Sequence, residues 1–310
     1  MNTTNPAVWQ SRPEAGSLAG LKFMRWVAAR LGRRALLWLL YPVTAYFYLV
    51  RTPERRASRN YLGRVFGRAA TESEVFRHFY SFARMTADRF FFLAGRDAEV
   101  PVTFKGGPSA QRVVDAGKAG VFLAAHLGSF EAARVIGPQL GGINLRIVLD
   151  AQQGGQFVEM MQRINPAMTQ NIIDSEQGSV ALGLALGDAM KAGDWVGFLA
   201  DRYRGADADK PADRTTVCNF LGARARLPLG PYLIANTFKA PIICAFCRLT
   251  EQGYEVHCEV LSDGLDLPRK GRSEALAALA NQYAERLEFH VRAAPYSWFN
   301  FYDFWASADA

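Results

Sequence analysis

His126 and Glu131 are the residues whose types and spacing most directly suggest chemistry. They stand in AAHLGSFEAA, just after the apolar run GVFLAA (Gly120–Ala125). Such a run reads as a buried strand, and open α/β sheets place their sites at the carboxyl ends of strands. Gly128 permits a tight turn, Ser129 suits a helix N-cap, and Glu131 falls in the first helical turn, where the dipole favours an anion. A strand–turn–helix corner can fold the carboxylate towards the imidazole. The carboxylate would then hold one ring nitrogen as a donor and leave the other to accept a proton, making His126 a general base for a hydroxyl nucleophile. The plainer alternative is that Glu131 only caps its helix. No G-x-S-x-G elbow is present, so Ser129 reads as a cap and not as a nucleophile.

The other titratable residues offer less. His78, His257 and His290 show no metal-ligand spacing and read as structural or surface residues. Cys244 and Cys247 lie in PIICAFCRL, a strand pattern in which positions three apart face opposite ways, so a shared metal or bridge is not expected. Reduced core thiols are expected instead. No metal and no organic cofactor is called for.

Elements able to position His126 follow from the alternation of short apolar runs with helical patterns after about residue 101. Strands are expected at 120–125, 145–149, 171–173, 195–200, 241–249 and 254–261. Helices are expected at 130–140, 156–163, 179–191, 229–238 and 273–291, with a Pro/Asp/Arg-rich loop over 203–214. This is an α/β fold, a layered α/β/α sheet with helices on both faces. Residues 1–95 read as a separate, mostly helical region, with Thr71 and Glu74 as a capping box opening the aromatic helix Ser73–Phe92, and 96–310 as the α/β domain.

Charge is uneven along the chain. Residues 1–60 hold ten basic residues against Glu14 and Glu54, a surplus of +8, while the other 250 residues sum to −1. A localised cationic segment attracts polyanions. Within it, Ala35–Val50 (ALLWLLYPVTAYFYLV) carries no charge and is flanked by Arg33, Arg34 and Arg51. As a helix it falls short of the roughly 30 Å hydrocarbon core, and Pro42 is expected to bend or break it. Trp38, Tyr41, Tyr46 and Tyr48 suit a headgroup boundary, and the arginines can snorkel to phosphates. Upstream, Leu21, Met24, Val27 and Leu31 form one helical stripe opposite Lys22, Arg25, Arg30 and Arg33. A helix lying in an anionic membrane surface is expected, with a single-pass span or a buried core hairpin as the alternatives. Nucleic-acid binding is not expected, since the body lacks finger spacing and basic–aromatic alternation. No secretory signal is evident, and the flanking arginines place the body on the cytoplasmic side.

AAHLGSFEAA resembles the H-x-x-x-x-(D/E) motif of the lysophospholipid acyltransferase superfamily, in its lipid A biosynthesis (lauroyl/myristoyl) acyltransferase branch. WVGFLADRYRG resembles that branch's strand leading to an aspartate, here Asp201. TTVCNFLGARARLPLGPYLIANTFKAPII resembles its phenylalanine–glycine and glycine–proline segment, carried by Phe220, Gly222, Gly230 and Pro231. RAAPYSWFNFYDFW resembles its terminal proline–tryptophan stretch. The resemblance covers nearly the whole chain. It implies an acyltransferase-like α/β domain on the cytoplasmic face of the inner membrane, with the acyl chain in a groove facing the membrane. It also implies transfer of an acyl group from a thioester, on acyl carrier protein or coenzyme A, to a hydroxyl of a membrane lipid or lipid A-like glycolipid. By the resemblance His126 is the base and Glu131 its orienting partner. Substrate contacts are expected from Arg163, Asp201, Arg202 and Ser129, with Arg163, Arg202 and amides near Phe130 as candidate oxyanion donors. Arg202 stands where the branch commonly has glutamine, a departure that bears on the acceptor. A thioesterase or lipid hydrolase using the same site, and a non-catalytic lipid-binding protein of the same fold, are the competing readings.

Overall fold

The β-branched and aromatic runs of the body pair into one large sheet and a separate two-stranded hairpin. The computed structural model describes residues 18–135, 140–149, 171–202 and 215–305. Three helices come first: α1 (Leu18–Val50), α2 (Thr52–Phe66) and α3 (Glu72–Leu93). Then follow β1 (Val102–Gly106), α4 (Pro108–Asp115), β2 (Val121–Ala124), α5 (Phe130–Val135), β3 (Leu145–Leu149), β4 (Ile172–Asp174), α6 (Ser179–Lys191) and β5 (Trp195–Leu199). A hairpin, β6 (Thr215–Phe220) and β7 (Ala223–Pro228), leads to α7 (Gly230–Phe238), β8 (Ile242–Leu249), β9 (Tyr254–Ser262) and α8 (Arg272–Ala293). The seven-stranded sheet has the order β1-β9-β8-β2-β5-β3-β4. Every pairing in it is parallel except β8 with β9.

Alternation along the strands builds a core on each face. Val121 and Leu123 of β2 join Cys244, Phe246, Tyr283 and Leu287 in one core. Phe122 of the same strand joins Trp195, Ile243, Cys247 and Val256 in the other. Cys244 and Cys247 thus fall on opposite faces, as their spacing requires, and all four cysteines are free and buried. The first three helices share these cores. Tyr61, Leu62, Val75 and Phe79 enter the first, and Leu36, Leu40, Phe91 and Phe92 enter the second. The expected capping box opens α3: the Glu74 amide donates to Thr71 Oγ1 at 3.3 Å and the Thr71 amide to Glu74 Oε2 at 2.8 Å.

Two expectations for the N-terminal region are corrected. The break in α1 lies at Gly32, with φ 75° and ψ 178°, a conformation only glycine adopts readily, and the helix continues through Pro42. Arg33 does not reach outward. Its Nε and Nη2 donate to Asp88 of α3 at 2.7 and 3.0 Å, and Asp88, fully buried, also accepts from Tyr254 Oη at 3.0 Å. The cation therefore ties α1 to the body.

The outer face of α1 is rich in aromatic and aliphatic side chains. Leu36, Leu40 and Thr44 turn inward, while Trp38, Tyr41, Tyr46, Leu49 and Val50 are exposed, Trp38 by 76% and Leu49 by 69%. No helix among the described residues is long and apolar enough to cross a membrane, so none supplies the single-pass alternative. The side chains of Leu21 and Met24, the helix expected at 156–163 and the loop expected at 203–214 lie outside the described residues.

Candidate active site

Strand register brings the central residues together. β2 and β5 are parallel neighbours with Ala124 opposite Leu199, and the Ala200 amide donates to the Ala124 carbonyl at 2.9 Å. Two residues beyond those partners, His126 and Asp201 follow the carboxyl ends of these two interior strands. The His126 Nδ1 lies 2.8 Å from Asp201 Oδ1. Asp201 Oδ2 accepts from the His126 amide at 3.1 Å and from the Trp298 indole Nε1 at 2.8 Å. Asp201 is fully buried, whereas the His126 side chain is 32% exposed, so the ring is the accessible member of the pair.

The loop after His126 is held tightly. Gly128 adopts φ 67°, and a Cβ there would run into the Cys247 carbonyl, which explains a glycine on both counts. Residues 297–299 cross the loop as a strap. The Gly128 amide donates to the Ser297 carbonyl at 2.7 Å and the Phe299 amide to the His126 carbonyl at 2.8 Å, and Leu127 and Trp298 form an antiparallel bridge. Ser129, fully buried, accepts from the Ala132 amide at 3.2 Å, the capping role its position suggests.

The expected pairing of Glu131 with His126 is corrected by this geometry. The hydrogen bond to the ring comes from Asp201, while Glu131 accepts from Ser129 Oγ at 2.8 Å and forms an ion pair with Arg89 Nε at 3.2 Å. A helix begins between the two residues, and Glu131 lies inside its first turn, where its carboxylate meets α3. Asp201 and Arg202, expected to touch substrate, also take other places. Asp201 lies beneath the imidazole. Arg202 Nη2 donates to the Phe299 carbonyl and its guanidinium covers the Tyr302 ring with 5.3 Å to the centroid, while its Nε finds no hydrogen-bond partner among the described residues. Arg163 lies outside the described residues.

Electrostatics favour a neutral imidazole. Burial and then the Arg202 cation push the His126 pKa below its ordinary value; Asp201 opposes them, and Arg89 adds to the lowering. Burial alone would raise the Asp201 carboxyl, yet the His126 ring, the Arg202 cation and the Trp298 N–H hold it well below the usual carboxylate range. An ionised Asp201 accepting at Nδ1 requires the proton there, which leaves the Nε2 lone pair to take up another. Among the described residues no hydrogen bond occupies Nε2.

Beneath α5 lies a cavity of about 300 Å³ lined by Phe122, Ala124, Phe130, Leu145, Ala245 and Cys258, with Arg134 at its polar side. Ala124 and Phe130, which bracket the His126 loop in sequence, line the cavity, whereas His126 and Asp201 do not.

Arg89 and Trp298 take part in this site, and the chemistry-bearing spacing of the sequence did not single them out. Arg89 is 37 residues from His126 on a helix whose aromatic stripe dominates its pattern. Trp298 lay in a stretch noted only for its resemblance. Of the remaining histidines, His78 bonds Ser58 and the Trp298 carbonyl, His290 lies 2.7 Å from Glu259, and His257 lies 3.5 Å from Glu255. Among known proteins, no family model and no curated sequence matches the chain.

Proposed function

We propose that this protein is an O-acyltransferase that moves an acyl group from a thioester to a hydroxyl of a membrane lipid. The observation that carries the reading is the buried Asp201 at 2.8 Å from the Nδ1 of His126, whose ring is 32% exposed. His126 Nε2 takes the proton of the acceptor hydroxyl while its oxygen attacks the thioester carbonyl. Asp201 stays ionised and stabilises the imidazolium. When the tetrahedral adduct collapses, the C–S bond breaks and the departing sulfur receives the proton from Nε2, so the base is restored. A thioester is already activated, so no covalent enzyme intermediate is needed. Arg89 and Arg202, whose charges act on His126, help keep the ring neutral and ready to accept the hydroxyl proton.

The cavity under α5 suits the apolar chain of the donor. The exposed aromatic and aliphatic face of α1, with Arg30 and Arg34 also exposed, suits a monotopic seat on an anionic membrane surface. The motif resemblance supports acyl carrier protein or coenzyme A as donor, a lipid A-like glycolipid or other membrane lipid as acceptor, and the cytoplasmic face of the inner membrane as the place. Mass spectrometry of membrane lipids from cells with and without the protein tests the reading. A lipid heavier by one acyl unit is expected only when the protein is present. Release of free fatty acid in place of that lipid would make the site a hydrolase.

A further inference from the structure

From the strap that crosses the His126 loop we infer that Trp298 is a positioning residue: its indole N–H fixes the Asp201 carboxylate and thereby sets the basicity of His126. The inference concerns the same site and, for its kinetic part, rests on the acyl-transfer reading.

The geometry is specific. Asp201 uses Oδ1 for the ring and Oδ2 for two donors, the His126 amide at 3.1 Å and Trp298 Nε1 at 2.8 Å. With both donors on one oxygen, the carboxylate plane cannot turn about its last bond without breaking them, so Oδ1 stays directed at Nδ1. Trp298 is fully buried, and its ring packs against Tyr61, Phe220 and Phe304 at centroid distances of 5.0, 5.2 and 5.0 Å. The indole therefore has no rotameric freedom with which to release Asp201.

The backbone of the strap is fixed from both sides. Ser297 Oγ accepts from the Leu249 amide at 3.1 Å, and Arg202 donates to the Phe299 carbonyl. On the other side, His78 of α3 lies with Nε2 2.9 Å from the Trp298 carbonyl and Nδ1 2.8 Å from Ser58 Oγ of α2. Burial pushes His78 down to about 4, so it stays a neutral linker at ordinary pH, donating at Nε2 and accepting at Nδ1. A chain of contacts thus runs from α2 and α3 through His78 and Trp298 to Asp201 and His126.

The charge consequence has a definite sign. An N–H directed at a carboxylate lowers its basicity and weakens its hold on a neighbouring imidazolium. Removing that donor leaves more negative charge facing Nδ1, so His126 should bind its proton more tightly. Arg89 and Arg202, the other charged groups acting on His126, are untouched by the change.

The experiment titrates His126 by NMR in full-length Trp298→Phe and in a second variant carrying benzothienylalanine at 298, an indole isostere with sulfur in place of N–H. Neither titration requires substrate. The His126 pKa is expected to rise by roughly half a unit or more in both. In the kinetic arm, kcat at neutral pH is expected to fall by roughly tenfold, with KM within about twofold. If Trp298→Phe fails to fold, the isostere, which preserves the packing, decides alone. An unchanged His126 pKa in the folded isostere variant overturns the inference, and Trp298 is then only a core residue. A raised pKa in a protein that transfers no acyl group would uphold the positioning role and reject the acyl-transfer reading.

Discussion

Asp201 lies under His126 because Leu199 and Ala124, two residues earlier in each case, are partners in adjacent parallel strands. That register converts a separation of 75 residues in sequence into a 2.8 Å contact between side chains. The base and its aligning acid are therefore built by the sheet and not by one turn. The two carboxylates near the histidine consequently do different work.

Asp201→Asn should be far more damaging than Glu131→Gln. An amide at 201 can present its N–H to Nδ1 and so favour the tautomer in which Nε2 carries the proton and cannot act as a base. Turnover should fall by roughly 10²–10⁴. Glu131→Gln retains an acceptor for Ser129 Oγ but loses the charge facing Arg89, so a smaller loss, under about tenfold, is expected. Steady-state rates of the two variants measured side by side check this. Equal damage would return Glu131 to the role of aligning acid.

The acid limb of activity should lie below the ordinary histidine range of about 6.5. His126 must be neutral to accept a proton, and burial with the Arg202 cation lowers its pKa. Activity should thus persist as pH falls through 6.5 and decline only as pH passes the lower value. In Arg202→Gln the limb should move upward, because one cation opposing protonation is gone. A pH–rate profile of both proteins reads this, and a downward or absent shift would contradict the electrostatic account.

How much of this was legible in the sequence differs by element. Strands β2, β3, β5, β8 and β9 announced themselves as apolar runs, and the strand-end place of His126 followed from them. β6 and β7 did not, because their two-residue turn is Leu221–Gly222, with φ 52° and 75°, and lacks the Asn-Gly or Asp-Gly signal of such turns. β1 was missed because its short run VTFKG contains a lysine and a glycine and sits at the sheet edge. At the site, Glu131 drew attention as the local carboxylate, while the real partner of the ring depended on strand order, which periodicity does not encode. Arg33 read as a membrane flank because Asp88, its buried partner, is 55 residues away.

Asp88→Asn should destabilise the fold substantially. Asp88 is fully buried and accepts from Arg33 and Tyr254, with Arg84 Nε 3.8 Å away, so neutralising it leaves two guanidinium groups close together without their anion. A cost of about 3–5 kcal/mol is expected from breaking such a pair. Urea unfolding of the variant against the parent protein measures it; a loss under about 1 kcal/mol would show that α1 is not anchored by this contact.

Trp38→Glu combined with Leu49→Glu should weaken binding to anionic vesicles at least roughly tenfold while leaving the unfolding midpoint nearly unchanged, since both side chains are largely exposed. Added salt should weaken the parent protein's binding as well. Vesicle co-sedimentation tests both effects, and undiminished pelleting of the double variant would remove α1 from the membrane contact.

The most direct test of the central claim is an in vitro transfer assay with purified protein, an acyl-acyl carrier protein donor and extracted membrane lipid, following thiol release and acylated lipid together. Wild type should produce the two in equal amounts, and His126→Ala should slow both by at least about 10². Transfer by His126→Ala at the wild-type rate would contradict the account.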